Sequence, residues 1–182
     1  EAGRAVRIVK NLLSFARGGS GERAYTSINE PIEAVFDLRK YSLMVNNIEL
    51  QTDLQPGLPM TMADPYKIQQ VTLNLMVNAE QAMEEAGVGD YLRVSTETSG
   101  DTLRLVVSDN GPGVAEQDIA KLFDPFFTTK EPGKGTGLGL SICYGIVRDH
   151  GGTLSVENES PHGARFTVEL PIVTPGTDGS TP

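Results

Sequence analysis

"DPYKIQQVTLNLMVNAEQAMEEAG", residues 64–87, decides the fold. Asp64 followed by Pro65 is a helix start: a side-chain cap precedes the one residue whose missing N–H costs nothing at the first helical position. Ile68, Val71, Leu75, Ala79, Ala82 and Met83 then recur at three- and four-residue spacing, which defines a buried face, and Gly87 supplies the stop. Asn74 and Asn78 lie four apart and so project from one side, with Gln81 a turn further on. Asn is a poor helix former because its side chain competes for backbone hydrogen bonds, so two of them in an apolar helix require a reason. Either the amides satisfy each other or a nearby backbone group, or they offer oxygen to a magnesium ion and its phosphates. Magnesium takes oxygen ligands and keeps several waters.

Working outward, "YLRVSTET" and "TLRLVVSD" alternate around the turn Ser99-Gly100-Asp101 and predict a hairpin-like pair of strands. "IELQTDL" (48–54) and "LPMTMA" predict two strands before the helix, and "TLSVENES" and "ARFTVELPIV" two at the end. "SINEPIEAVFDLRKYSLMVNN" predicts a helix with Ser27 and Glu30 at capping-box spacing, or with Asn29 as the cap. "AEQDIAKLF" predicts a short helix and "GLGLSICYGIVRDHGG" a longer one ended by glycine. Elements of this order imply an α/β sandwich, one mixed sheet with helices on one face. "EAGRAVRIVKNLLSFAR" (1–17) has a helical period, 18–26 is expected to be a linker opening on the hinge "GGSGE", and 174–182 a disordered tail without core-forming residues.

Two loops concentrate the remaining chemistry. Asp109 ends an apolar run at the buried end of the sheet and is followed by Gly111 and Gly113. "NGPG" is a tight turn on any account. A carboxylate in that place also accepts from an exocyclic amine such as adenine carries, and glycines let the backbone approach a flat ring. In "LFDPFFTTKEPGKGTGLGL" (122–140), Phe123, Phe126 and Phe127 are expected to anchor a polar segment bearing Lys130 and Lys134, with Lys121 nearby. Gly135, Gly137 and Gly139 then open a helix, whose N–H groups suit phosphates. The glycines do not directly follow a strand and no P-loop sequence is present, so neither common nucleotide-binding turn fits.

Composition narrows the class. Asp plus Glu number 24 against 15 Lys plus Arg, a formal net charge of −9, which argues against a nucleic-acid surface and for a small ligand or protein partner. No apolar run approaches the ~20 residues of a membrane span and no signal-peptide pattern opens the chain, so a cytoplasmic domain is expected. The single cysteine, Cys143, sits in apolar "SICYGIV" and is expected to be a buried packing residue.

The order "NLMVN", "DNGPG", "FDPFF", "GTGLGL" resembles the four nucleotide-binding boxes of sensor histidine kinases, members of the GHKL ATPase superfamily, over residues 60 to 170. "FFTTK" and "NAEQAM" most resemble the nitrogen-regulation sensor kinases, and "RIVKNLLSFAR" resembles the end of the second helix of their dimerisation and phosphoacceptor domain. The resemblance implies ATP and Mg2+, with Asn78 on the metal and Asn74 close to the phosphates. It implies Asp109 on the adenine amine, flanked by Gly111 and Gly113 and helped by a water near Thr167. Residues 124–136 would form the ATP lid, and the run Gly135, Thr136, Gly137, Leu138, Gly139, Leu140 would support the phosphates. The implied partners are a histidine-bearing dimerisation domain of the same parent, a response regulator receiver domain and a second parent copy, with no nucleic acid.

The chain departs from the family pattern in two ways. Many members place a basic residue three positions after the magnesium Asn, where this chain has Gln81; Lys130 or Lys134 would supply that charge. The family's acceptor histidine is also missing: His150 precedes Gly151-Gly152 at a helix end and His162 lies in the turn "SPHGA", neither on a dimerisation helix. Two other readings stand beside the kinase. An ATP-hydrolysing clamp of the superfamily has a Glu where this chain has Asn74, and an amide cannot serve as a base. A nucleotide-binding module without phosphotransfer is the other.

Overall fold

The structure is a computed structural model that describes residues 22–130 and 135–174. The helix expected over 1–17, most of the hinge, Lys134 and all but the first residue of the expected tail lie outside the described residues.

Seven strands and four helices make up the described part: β1 (Ala24–Thr26), α1 (Asn29–Val45), β2 (Glu49–Leu54), β3 (Thr61–Ala63), α2 (Pro65–Ala86), β4 (Tyr91–Ser99), β5 (Thr102–Asp109), α3 (Glu116–Ile119), α4 (Gly139–Asp149), β6 (Thr153–Asn158) and β7 (Ala164–Pro171). Five strands form one sheet in the order β2-β4-β5-β7-β6, parallel between β2 and β4 and antiparallel elsewhere. The mixed sheet and the β4–β5 hairpin agree with expectation. A two-stranded sheet pairs β1 with β3, so Ala24–Thr26, read as linker from the sequence, is strand. Thr61 fastens this small sheet to the end of β7: its hydroxyl donates to the Pro171 carbonyl and accepts from the Val173 N–H.

Alternation builds the core. Leu92 and Val94 of β4, Leu103, Leu105 and Val107 of β5, and Phe166, Val168 and Leu170 of β7 are all buried. Their registers, Val94 opposite Val107 and Val107 opposite Phe166, put them on one face. Helices α1, α2 and α4 cover that face. The other face is polar, with Arg104 bridging Glu169 at 2.8 Å and Glu97 at 3.4 Å. Exposed pairs of this kind contribute only ~0–1 kcal/mol each.

Helix α2 starts as its sequence dictates. The Asp64 carboxylate accepts from the N–H groups of Tyr66 (2.9 Å) and Lys67 (3.3 Å), and Gly87 ends the helix in the left-handed region at φ 64°. His150 completes the cap, its Nε2 accepting from the Asp64 N–H at 3.0 Å while its Nδ1 meets the Ile146 carbonyl at 2.8 Å. One buried imidazole thus ties the end of α4 to the start of α2. Helix α1 begins differently from the predicted capping box: Ser27 Oγ accepts from the Asn29 N–H at 3.3 Å and Glu30 is exposed. Asn29 is instead drawn into the interior, where its amide donates to the Gln55 carbonyl and its oxygen accepts from Thr96. The short helix α3 stops at Ile119, earlier than its sequence period implied.

A buried carboxylate clamps α2 to α1. Glu80 is 4% exposed and accepts from Ser42 Oγ (2.5 Å), Asn46 Nδ2 (2.8 Å) and the Arg39 guanidinium. Removing one partner of a buried ion pair leaves the other unpaired, so Glu80→Ala is expected to lower the unfolding free energy by about 3 kcal/mol. Urea denaturation measures this, with Glu97→Ala, on the exposed face, changing it by less than about 0.5 kcal/mol.

Candidate nucleotide site

Helix α2 turns Asn74, Asn78 and Gln81 into a cleft of ≈ 720 Å³, walled opposite by residues 127–130 and 135–140. Among the described residues lining this cleft only Lys67 and Lys130 carry charge, both positive. A cationic cleft in a chain of net charge −9 favours an anionic occupant. Asn74 donates from Nδ2 to the Gly139 carbonyl at 3.3 Å, and Lys130 Nζ donates to Gln81 Oε1 at 2.5 Å. The two asparagines do not pair with each other, but Asn74 meets a nearby backbone carbonyl, the other form of the first alternative. Behind Asn74, Cys143 is buried as expected, and burial pushes its thiol up to about 12 despite a contact with Asn74.

The glycine-rich wall is held open by backbone geometry. Gly137 has φ 65°, and a Cβ there would lie 2.4 Å from the Phe126 carbonyl carbon. The Phe126 N–H donates to the Gly137 carbonyl at 2.9 Å, so the two segments touch main chain to main chain. Helix α4 then begins without a side-chain cap, which leaves its first N–H groups available to an anion. Of the three phenylalanines expected to anchor this region, Phe123 stacks on Tyr144 with centroids 5.5 Å apart, and Phe127 lines the cleft. Phe126 does not anchor. Its backbone takes the left-handed region at φ 68° to meet Gly137, which sends the ring outward, 74% exposed.

Asp109, Gly111 and Gly113 form a second cluster outside the lining of this cleft. Asp109 Oδ1 accepts from the N–H groups of Gly111 (2.8 Å) and Ala164 (3.4 Å), while Oδ2 has no donor among the described residues. A Cβ at Gly111 would come within 2.9 Å of both Asp109 Oδ1 and Met83 Cγ. Burial raises the Asp109 carboxyl above the usual range, the Gly111 and Ala164 N–H groups act against that rise, and the charge of Glu159 adds to it. Thr167 is not part of the cluster. In β7 it pairs with Val106, on the sheet face opposite Asp109, because Phe166 and Val168 take the core-facing positions; Ala164 is the β7 residue that reaches the carboxylate.

Several residues that hold this cluster escaped the sequence reading. Asn110 accepts from the N–H groups of Asp90 and Tyr91, which pins the loop after α2 to the end of β5. Asn158 makes a two-way bond with the Val114 backbone, 2.7 Å each way. Gly163, at φ 122°, allows the Asp109 carbonyl to approach; a Cβ there would lie 2.0 Å from it. The only sequence signal was the glycine between two strands. His162, read as a turn residue, donates or accepts nothing toward the cleft and meets the Asn110 carbonyl at 2.8 Å.

Residues 63–174 match the family model described as histidine kinase-, DNA gyrase B-, and HSP90-like ATPase. The chain belongs to this family. Similar proteins include the sensor histidine kinase ZraS of Escherichia coli O157:H7, 36% identical over 172 residues, covering 94% of this chain and 36% of the relative. The sensor protein FixL of Bradyrhizobium diazoefficiens is 35% identical over 171 residues, covering 94% of this chain and 34% of FixL. The chain thus spans about a third of these relatives' length. Among solved structures, the catalytic domain of histidine kinase ThkA superposes with TM-score 0.74 at 34% identity, covering 84% of this chain and 97% of that one. Full-length ShkA in complex with AMPPNP gives TM-score 0.77 at 28% identity, covering 95% of this chain and 37% of ShkA. The fold is therefore that of the histidine kinase catalytic domains, and the domain is an ATP-binding one of that kind.

Two outcomes follow from this geometry. Gly137→Ala is expected to destabilise the domain by about 2 kcal/mol or more, since neither the positive φ nor the Phe126 backbone yields cheaply; thermal unfolding measures it. For Asp109, a folded-state pKa above the unfolded value means that ionisation costs stability. That cost is absent below the unfolded pKa and complete above the folded one. Asp109→Asn, which keeps an acceptor for both N–H groups, should therefore match the parent's Tm in acid and exceed it by about 2 °C at neutral pH.

Proposed function

We propose that the domain binds Mg-ATP in this cleft and transfers its γ-phosphoryl group to a histidine on a dimerisation domain of its own parent. The observation that carries this reading is the convergence on one cleft of Asn74, Asn78, Gln81, two lysines and the uncapped start of α4. The donor set suits magnesium: Asn78 offers a single neutral oxygen, and among the described residues no cluster of three or more His, Cys, Asp or Glu competes for a metal. A magnesium ion there would be held by Asn78 and would supply charge neutralisation at the phosphate oxygens.

The chain's own groups divide the remaining work. Asp109 Oδ2 accepts from the adenine amine. Guanine presents a carbonyl oxygen there, and two facing acceptors would cost ~1–3 kcal/mol, roughly ten- to hundredfold in affinity. The N–H groups of Gly139 and Leu140, with Gly135, Thr136, Gly137 and Leu138 forming the approach, orient the phosphates. The acceptor imidazole supplies the nucleophilic electron pair; its bond to the γ-phosphorus forms as the bond to the bridging oxygen breaks and ADP leaves. Hydrolysis would need a base to orient water, and Asn74 is an amide already donating to the Gly139 carbonyl. The phosphoryl group then passes to an aspartate-bearing receiver domain, a role supported by the structure of ThkA in complex with response regulator protein TrrA, 31% identical to this chain. We place the domain in the cytoplasm as part of a homodimeric parent; among the described residues no helix is long and apolar enough to cross a membrane.

Calorimetry with Mg-ATP tests the site. Asn78→Ala should weaken Mg-ATP binding about tenfold or more, the worth of a charge-assisted contact, and ATP should bind at least about tenfold tighter than GTP. Incubated with γ-labelled ATP and its parent's dimerisation domain, the chain should place acid-labile label on that domain, with His150 and His162 both replaceable. Rapid steady-state hydrolysis by the isolated chain, lost on changing Asn74, would establish the ATPase-clamp reading instead.

A further inference from the structure

We propose that Gln81 is the positioning residue for Lys130, and that this pair replaces a fixed cation on α2 with one delivered from the opposite wall of the cleft. The inference rests on the Mg-ATP reading. Gln81 stands three residues after Asn78, so both side chains leave α2 on the same side. Its Oε1 receives Lys130 Nζ at 2.5 Å across the cleft. Lys130 is held at its root as well: its N–H donates to Thr128 Oγ1 at 3.2 Å, and its stem crosses Gly135, where a Cβ would stand 3.3 Å from Lys130 Cδ and 2.6 Å from Thr128 Oγ1. Residue 135 must be small for the lysine to lie in this way.

Charge explains why position 81 is an amide. A lysine or arginine there would repel Lys130 at contact distance, whereas a glutamate would form an ion pair and compete with phosphate for the ammonium. A glutamine carbonyl orients the ammonium and leaves two of its three protons for another acceptor. Burial lowers the Lys130 pKa, and the charge of Glu85, one turn beyond Gln81 on α2, acts against that. The ammonium is thus partly desolvated against Gln81 before any anion arrives, which strengthens its attraction for a phosphate oxygen.

A double-mutant cycle read by calorimetry with Mg-ATP and with AMP tests the pair. Lys130→Met should weaken Mg-ATP binding about tenfold and Gln81→Ala about threefold, while AMP affinity stays within twofold for both variants. In the Lys130→Met background, Gln81→Ala should have no further effect, and Gln81→Arg should recover most of the lost Mg-ATP affinity by placing the cation on α2. Gln81→Arg alone should bind more weakly than that double variant relative to its own background, because two cations then meet. Equal, additive losses for ATP and AMP, or no recovery by Gln81→Arg, would overturn the pairing while leaving the nucleotide site intact. Failure of the unaltered domain to bind Mg-ATP would overturn the nucleotide reading and this inference with it.

Discussion

Helix α2 has to satisfy three neighbours at once, and the rest of the structure is arranged around that constraint. Its apolar face, Ile68, Val71, Leu75, Met76, Ala79 and Met83, is buried against the sheet and α4. Glu80 faces α1 and takes two donors from it and a third from Asn46 just past its end. Asn74, Asn78 and Gln81 face the cleft. A helix with no free side cannot rotate or slip by a residue without burying an amide or exposing the core. That is why its two ends are fastened so firmly, by the Asp64 cap with His150 behind it and by the left-handed Gly87. The positions of the cleft amides follow from the packing of the core.

The same logic explains the electrostatics. The chain carries a net charge of −9, yet the described lining of the cleft contains two lysines and no acid. Acidic side chains are spent elsewhere: Glu97, Glu157, Glu159 and Glu169 pair with arginines at the sheet's polar face and its edge, and Glu80 is consumed in the clamp to α1. The one buried carboxylate near the proposed adenine end, Asp109, keeps an oxygen unpaired at a cost to stability. Carrying such a group makes sense where a ligand amine repays it.

Most of the fold was legible in the sequence because periodicity and punctuation agreed. The Asp64-Pro65 start, the Gly87 stop, the alternating hairpin around Gly100 and the glycine-ended α4 each combine a period with a terminator. The elements that were missed or misplaced lack one or the other. Ala24–Thr26 is a three-residue strand whose identity depends on pairing with β3, and Ser27 accepts from the Asn29 N–H while Glu30 stays exposed, so the reciprocal box does not close. At the site, Asn74, Asn78, Gln81, Lys130 and the glycines of 135–139 were legible because their spacing puts them on one wall or the other. Thr167 was misjudged: its place on the strand was right, but strand parity assigns it to the face away from Asp109. Asn110, Asn158 and Gly163 act through backbone contacts made by distant segments, and no local pattern reveals those.

The central claim is that one face of α2 and the start of α4 together read a nucleotide whose base lies at Asp109. A titration of the 15N-labelled domain with Mg-ATP, followed by amide chemical shifts, tests it most directly. The account predicts concerted shifts at the side-chain amides of Asn78 and Gln81, the backbone amides of Gly137 to Leu140, and the Gly111 N–H beside Asp109. Shifts that spare these groups and gather instead at the hollow lined by Asn46, Glu84 and Gly87 would contradict it.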